Sequence, residues 1–145
     1  MLNLIKTKKK DISHISNILF SENKEYLKFF NPFTDENDLD SSFKDKNNIF
    51  YNICLNKEII GFLMLRGLDL KQARFGIYLN SQYSSKGYSK KAIQQFLQLL
   101  EKKYEVNEVF LKVHKINFKA VSLYQDCGFE IETEEKESYI MKIKL

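Results

Sequence analysis

The sequence predicts an α+β domain built on a mixed, mostly antiparallel sheet, and three observations carry that expectation. Its 145 residues are the length of one ordinary domain, which buries roughly 70% of the surface its unfolded chain exposes. The apolar period changes from helical to alternating at Asn48. The stretch 73–114 reads strand, helix, strand, and such a crossover is right-handed and places two parallel strands side by side. A single domain over residues 1–145 is therefore expected.

The elements follow in order. Leu2 to Thr7 alternates weakly and starts a sheet. Asp11 is a suitable helix cap, and Ile12, Ile15, Ile18 and Leu19 follow at helical spacing, which predicts a first helix up to about Ser21. Lys24 to Phe30 predicts a second, short helix that ends against Asn31-Pro32, because the residue before proline avoids the helical region. Asp35 to Lys46 is polar with Leu39 and Phe43 four apart, a third, short, mostly exposed helix. Ile49 to Leu55 and Glu58 to Leu65 form a hairpin around Asn56-Lys57. Ala73 to Asn80 is the next strand, with Phe75, Ile77 and Leu79 on one face. After the loop Ser81 to Lys86, a long helix from Gly87 to Tyr104 carries Ala92, Ile93, Phe96, Leu97 and Leu100 in one apolar stripe. Glu108 to His114 is a strand, and Phe118 to Cys127 a helix closed by Gly128. Phe129 to Leu145 is a final hairpin turning near Glu134-Glu135-Lys136.

Composition excludes several classes. Hydrophobic residues are 43% of the chain, with Phe 12 and Tyr 8 against Gly 5 and Pro 1, which is incompatible with disorder, collagen-like repeats or a disulfide scaffold. The longest apolar runs, such as Ile59 to Leu65, fall far short of the roughly 20 residues that span a bilayer. With no signal-peptide pattern at the start, a soluble, cytoplasmic protein with no membrane partner is expected. Cys54 and Cys127 lack Cys-x-x-Cys spacing and are too few for a metal site, so they are expected to be reduced, buried and inert. The net charge of +4 rests on lysines scattered among acidic residues, with only Arg66 and Arg74 as arginines, which argues against a nucleic-acid partner. What remains is a local cluster for a smaller anion.

That cluster is Tyr83-Ser84-Ser85-Lys86-Gly87-Tyr88-Ser89-Lys90-Lys91, between a strand and the long helix. A helix start offers free N–H groups and about half a positive charge to a pyrophosphate. Gly87 leaves room for a phosphate, and Lys86, Lys90 and Lys91 add charge; ordinary capping with surface lysines is the alternative. Neither a P-loop nor a dinucleotide fingerprint is present. The segment Ser84 to Ser89 instead resembles the acyl-coenzyme A loop of the GNAT superfamily of N-acetyltransferases, Gln/Arg-x-x-Gly-x-Gly/Ala. Gly87 matches it strictly, Ser84 replaces the Gln or Arg, and Ser89 is a small replacement for the last position. Downstream, Asn117, Ala120 or Val121, Tyr124 and Gly128-Phe129 resemble the second signature of the same family, so the resemblance covers about residues 49 to 131.

The resemblance implies a central sheet with helices on both faces, a parallel strand pair at the cofactor cleft, and direct transfer of an acetyl group from acetyl-CoA to an amine. It implies cofactor contacts from Ile77, Tyr78, Leu79, Ser84, Ser85, Lys86, Gly87, Tyr88, Ser89 and Asn117. A backbone N–H near Tyr78 or Leu79 would polarise the thioester carbonyl. Tyr124 would be the general acid, since a phenol with an ordinary pKa of about 10 can serve a departing thiolate of about 8.5. Asn117 is equally a helix cap, and Tyr124 equally a core aromatic. No Glu occupies the usual base positions, which hold Arg74 and Lys112. His114 is the remaining titratable candidate, with a strand-end surface histidine as its plainer alternative; water or a partly neutral amine would also suffice.

The acceptor side, by the same resemblance, comes from the first helices and the last hairpin, with Tyr26, Phe29, Phe30 and Phe33 around Pro32 and the acidic turn Glu132 to Glu137. A small-molecule amine is the expected acceptor, an amino sugar on a nucleotide carrier being one candidate, for a monomer or homodimer. A protein or peptide acetyltransferase, a non-catalytic acyl-CoA-binding module of the same fold and a basic RNA-binding domain are the competing readings.

Overall fold

The structure is a computed structural model and describes residues 1–30 and 33–145. Its seven strands are β1 (Leu2–Lys6), β2 (Ile49–Leu55), β3 (Glu58–Arg66), β4 (Arg74–Leu79), β5 (Glu108–His114), β6 (Glu130–Glu134) and β7 (Ser138–Lys144). They lie in the order β1-β2-β3-β4-β5-β7-β6. Every neighbouring pair is antiparallel except β4 and β5. The β2–β3 turn uses Asn56 and Lys57 at φ 49° and 74°, the pair of left-handed residues that matches the twist of a two-residue hairpin.

β2 and β3 read as nearly continuous apolar runs because both of their faces are covered. On one face, α3 (Tyr88–Tyr104) buries Ala92, Ile93, Phe96, Leu97 and Leu100, and α4 (Phe118–Asp126) packs beside it. On the other, α1 (Ile12–Phe20) brings Ile12, Ile15 and Leu19, and α2 (Glu36–Lys44) brings Leu39, onto Phe33, Phe50, Phe62 and Tyr78. A fully buried aliphatic or Phe side chain contributes about 1.5–3 kcal/mol, so even the polar α2 is pinned by Leu39, which is 0% exposed.

Local expectations are corrected in three places. Lys24 to Phe30 forms successive turns rather than a helix, with Leu27 N–H donating to Asn23 O, Lys28 N–H to Glu25 O and Phe30 N–H to Leu27 O. The Asn31-Pro32 stop lies outside the described residues. Asp11 does not cap α1 through its side chain. It closes a short 3-10 turn (Lys9–Asp11) by accepting from Lys8 N–H at 2.9 Å, and also accepts from Asn52 Nδ2 at 3.0 Å. Cys127 is half-buried, while Cys54 is buried as expected; burial raises the pKa of both thiols.

The feature that builds a site is the pairing of β4 with β5. Their ladder consists of Arg74 against Phe110, backed by Phe110 N–H donating to Ala73 O at 3.0 Å. Beyond that point the strands share no further pair, so Leu79 and His114 end on opposite lips of an opening in the sheet.

Candidate active site

Strand alternation decides which backbone groups face this opening. Asn80 N–H donates to Ile60 O on β3 at 2.8 Å, and β3 and β4 stay in register without a bulge. Every second residue, Tyr78 and Gly76, therefore spends its backbone groups on β3, and Ile77 and Leu79 turn theirs toward β5. Of the two donors expected from sequence, Leu79 rather than Tyr78 has its N–H in the opening. The Tyr78 side chain is buried on the α1 face, where its hydroxyl donates to Ile18 O and meets Glu22 at 2.8 Å; burial raises its pKa most, aided by Glu22.

The loop after β4 is a short 3-10 turn, Ser81–Tyr83, and then Ser84 to Gly87. Ser84 spends its hydroxyl on Ser81 O at 2.7 Å. Ser85 at φ 61° and Gly87 at φ 83° swing the chain through left-handed backbone into α3. No side chain caps α3 and no acidic residue stands in its first turn, so its first N–H groups and the positive end of its dipole face outward. A Cβ on Gly87 would meet nothing within 4 Å, which leaves open space over the helix start. Ser85, Lys86 and Gly87 are exposed, Tyr88 and Ser89 half-buried. Lys119 of α4 reaches the same loop, its Nζ 3.4 Å from Ser85 Oγ.

Asn117 caps α4, its Oδ1 accepting weakly from Ala120 N–H at 3.4 Å. One face further along, Tyr124 packs edge-on against Phe75 of β4 (6.1 Å between ring centroids) and Phe129 (5.9 Å). The α4 that follows β5 thus sets a phenol ring against Phe75 of β4, next to the residue through which β4 pairs with β5. Among the described residues the half-buried Tyr124 has no protein hydrogen bond at its hydroxyl. Burial, with a smaller contribution from Cys127, holds the phenol well above its ordinary pKa.

On the α1 face of the opening the proposed acceptor residues come together at His114. Phe29 lies over its ring at 5.0 Å and 35°, and Glu137 of the β6–β7 turn stands 4.0 Å from its Nε2. Its Nδ1 is sealed from solvent without a partner, at a cost of about 1–3 kcal/mol for such an atom. Phe30 instead stacks on Tyr78 at 6.3 Å and packs against Phe62.

Three residues make contacts at the site that sequence spacing did not reveal: Glu22 and Lys119, not expected there, and Tyr26, expected on the acceptor side but not in this contact. Glu22, just after α1, accepts from Ser81 N–H, Ser81 Oγ and Tyr78 Oη, all within 2.8 Å, and so ties the acceptor side to the corner that leads into the loop. Burial raises its pKa, but the hydrogen bonds from Ser81, Tyr78 and Asn23 outweigh it and hold the carboxyl below its usual 4.5. Tyr26 donates its hydroxyl to Leu79 O at 2.7 Å. Lys119 is the third. These contacts join positions 34 to 59 residues apart, beyond any local pattern.

Comparison with known proteins fits this geometry. The sequence profile of the "Acetyltransferase (GNAT) family" matches residues 15–129. The chain belongs to the GNAT acetyltransferase family. Acetyltransferase PseH of Campylobacter jejuni is 24% identical over 134 residues, 92% of this chain and 78% of that protein. Spermine/spermidine N(1)-acetyltransferase of Bacillus subtilis is 29% identical over 86 residues, and the match spans 53% of this chain and just over half, 56%, of that enzyme. The crystal structure of spermidine N-acetyltransferase from Vibrio cholerae, in complex with CoA and spermine, superposes with a TM-score of 0.83 at 22% identity, covering 99% of this chain and 95% of that one. This GNAT chain is therefore an acyl-CoA-dependent N-acetyltransferase with acetyl-CoA as acyl donor, and its site fits that donor. The uncapped α3 start and the open space at Gly87 suit the phosphates, and the free edge of β4 suits an extended amide-bearing arm. Among the described residues no helix is long and apolar enough to cross a membrane.

Proposed function

We propose that this GNAT chain moves an acetyl group from acetyl-CoA directly to a primary amine of a small, cationic molecule, a polyamine-like acceptor above all. The observation that carries the reading is the opening between β4 and β5, which has the Leu79 N–H on one lip, Tyr124 crossing from α4, and His114 with Glu137 on the other lip. Leu79 N–H donates to the thioester oxygen as negative charge gathers there, a contribution that grows in the transition state. Tyr124 donates to the departing sulfur. Because burial raises its pKa, it stays protonated at neutral pH and acts chiefly by a strong hydrogen bond, full proton transfer being uphill for it. Nitrogen attacks carbon directly, so no covalent enzyme species is needed.

A cationic acceptor suits the aromatic face of Phe29 beside the carboxylate of Glu137. The spermine and spermidine enzymes among the relatives support the same class. The Phe29 face would equally take a sugar ring, and this keeps an amino sugar on a nucleotide carrier as the second reading. The test is acetyl-CoA in a thermal-shift assay, followed by mass spectrometry on a panel of polyamines, nucleotide-linked amino sugars and peptides. A rise in Tm and a mass gain of one acetyl on a polyamine are expected. A Tm unmoved by acetyl-CoA would sink the reading, and acetyl-CoA binding with no acetylated amine would favour the non-catalytic module.

A further inference from the structure

Along Leu79, Asn80 and Ser81, every backbone N–H and C=O group but one has a protein partner among the described residues. Leu79 O accepts from Tyr26 Oη at 2.7 Å, Asn80 N–H donates to Ile60 O at 2.8 Å, and Asn80 O accepts from Tyr83 N–H at 2.9 Å. Ser81 N–H donates to Glu22 Oε1 at 2.7 Å, and Ser81 O accepts from Ser84 N–H at 3.1 Å and from Ser84 Oγ at 2.7 Å. The exception is the Leu79 N–H, which turns toward the opening. A donor left free while its neighbours are all held is ready for an outside acceptor and needs no reorganisation when charge develops there.

Two of these holds come from outside the sheet. In a strand the N–H and C=O of one residue point to the same side, so Leu79 O also faces the gap where β5 has diverged. The Tyr26 hydroxyl takes the place that a β5 N–H would fill in a longer ladder. Glu22 makes the second hold. Besides Ser81 N–H it accepts from Ser81 Oγ at 2.7 Å and from Tyr78 Oη at 2.8 Å, and so it grips the chain on both sides of Leu79 and Asn80.

Resting on the reading of the Leu79 N–H as donor to the thioester oxygen, we propose that Tyr26 and Glu22 are positioning residues of acetyl transfer, which fix the backbone of Leu79 where its N–H meets that oxygen. Neither touches the reacting atoms. Tyr26 holds the carbonyl of the residue whose N–H does the work, and Glu22 holds the residues around it. A misplacement of about 1 Å costs about 10²-fold in rate, and outright loss of an oxyanion donor about 10²–10³-fold. Slack at either hold is therefore felt in the chemical step before it is felt in acetyl-CoA binding.

The test is Tyr26→Phe and Glu22→Gln, with kcat, acetyl-CoA affinity by titration, and the infrared carbonyl band of bound [1-13C]acetyl-CoA in the absence of acceptor. In the wild type the Leu79 N–H should move that band to lower frequency than in free acetyl-CoA. Tyr26→Phe is expected to reverse much of the shift and to lose about 10- to 100-fold in kcat, with acetyl-CoA affinity held. Glu22→Gln keeps one acceptor oxygen and should follow with a smaller loss. A wild-type kcat in Tyr26→Phe, or a fallen kcat with an unmoved carbonyl band, overturns the proposal. Should Glu22→Gln fail to fold, Tyr26→Phe decides alone, since Tyr26 is 40% exposed and β4 keeps its ladder to β3 without it. A wild-type band at the frequency of free acetyl-CoA would instead refute the reading of Leu79 itself, which distinguishes the two failures.

Discussion

Replacing Gly87 by alanine, and separately by asparagine, splits the two demands this position meets. At φ 83° an alanine costs about 1–2 kcal/mol of backbone strain, part of which is offset because the unfolded chain loses freedom too. The net expectation for Gly87→Ala is a loss of about 1 kcal/mol, or about 2–4 °C in Tm for a domain of this size. Asparagine enters left-handed backbone more readily, so Gly87→Asn should fall less in stability. Both variants, however, place a Cβ in the open space over the start of α3, where nothing lies within 4 Å. A phosphate pushed back by that atom weakens one or two charge-assisted hydrogen bonds, each worth about 1.5–3 kcal/mol, so acetyl-CoA affinity should drop at least tenfold in both. Urea denaturation reads the first effect and isothermal titration with acetyl-CoA the second. If either variant binds acetyl-CoA as the wild type does, the α3 start is not the phosphate site, whatever its stability.

Tyr124→Phe removes a hydroxyl that has no protein partner among the described residues, so Tm should hold while kcat falls at least about tenfold with little change in acetyl-CoA affinity; steady-state kinetics beside titration checks it. Glu22 has its folded pKa below the ordinary 4.5, so its contribution is complete above that value and fades as pH falls through the folded pKa. The Tm difference between wild type and Glu22→Gln should accordingly shrink between about pH 7 and about pH 3.5, and a pH-independent difference would contradict the linkage. Gly61→Ala drives a Cβ into the Tyr78 carbonyl and to 2.9 Å from Leu79 Cα, both backbone atoms, and should cost about 3 kcal/mol in chemical denaturation; wild-type stability would mean β3 and β4 are less closely apposed.

The fold was most legible where one element uses one periodicity to bury one face. All five apolar positions expected on α3 are buried, and β5 spans Glu108 to His114 as expected. Legibility failed at Lys24 to Phe30, whose aromatic spacing looks helical. There each ring answers to a different distant partner: Tyr26 to Leu79, Phe29 to His114, Phe30 to Tyr78 and Phe62. A seven-residue helix must also overcome a costly nucleus, and turns that satisfy these separate contacts win. Asp11 misled similarly, because its carboxylate serves the buried Asn52, which in turn accepts from Thr7 at 2.7 Å, rather than the first turn of α1.

The candidate site divides along the same physical line. Gly87, Asn117 and Tyr124 are legible through the family resemblance, whose signatures lie on a helix start, a cap and a helix face with fixed local spacing. The other half is set by the divergence of β4 from β5 after one pair, and no residue in either strand announces it. That divergence alone frees the Leu79 N–H, separates it from His114, and gives Tyr26 a bare carbonyl to bind. It also explains why Glu22 matters: an open strand end has lost the ladder on one side and needs another restraint. Glu22 supplies it by gripping Ser81 and Tyr78 from just beyond α1. On the proposed function, the end of β4 that would meet the acyl donor is thus held by residues of the acceptor side, Glu22 and Tyr26.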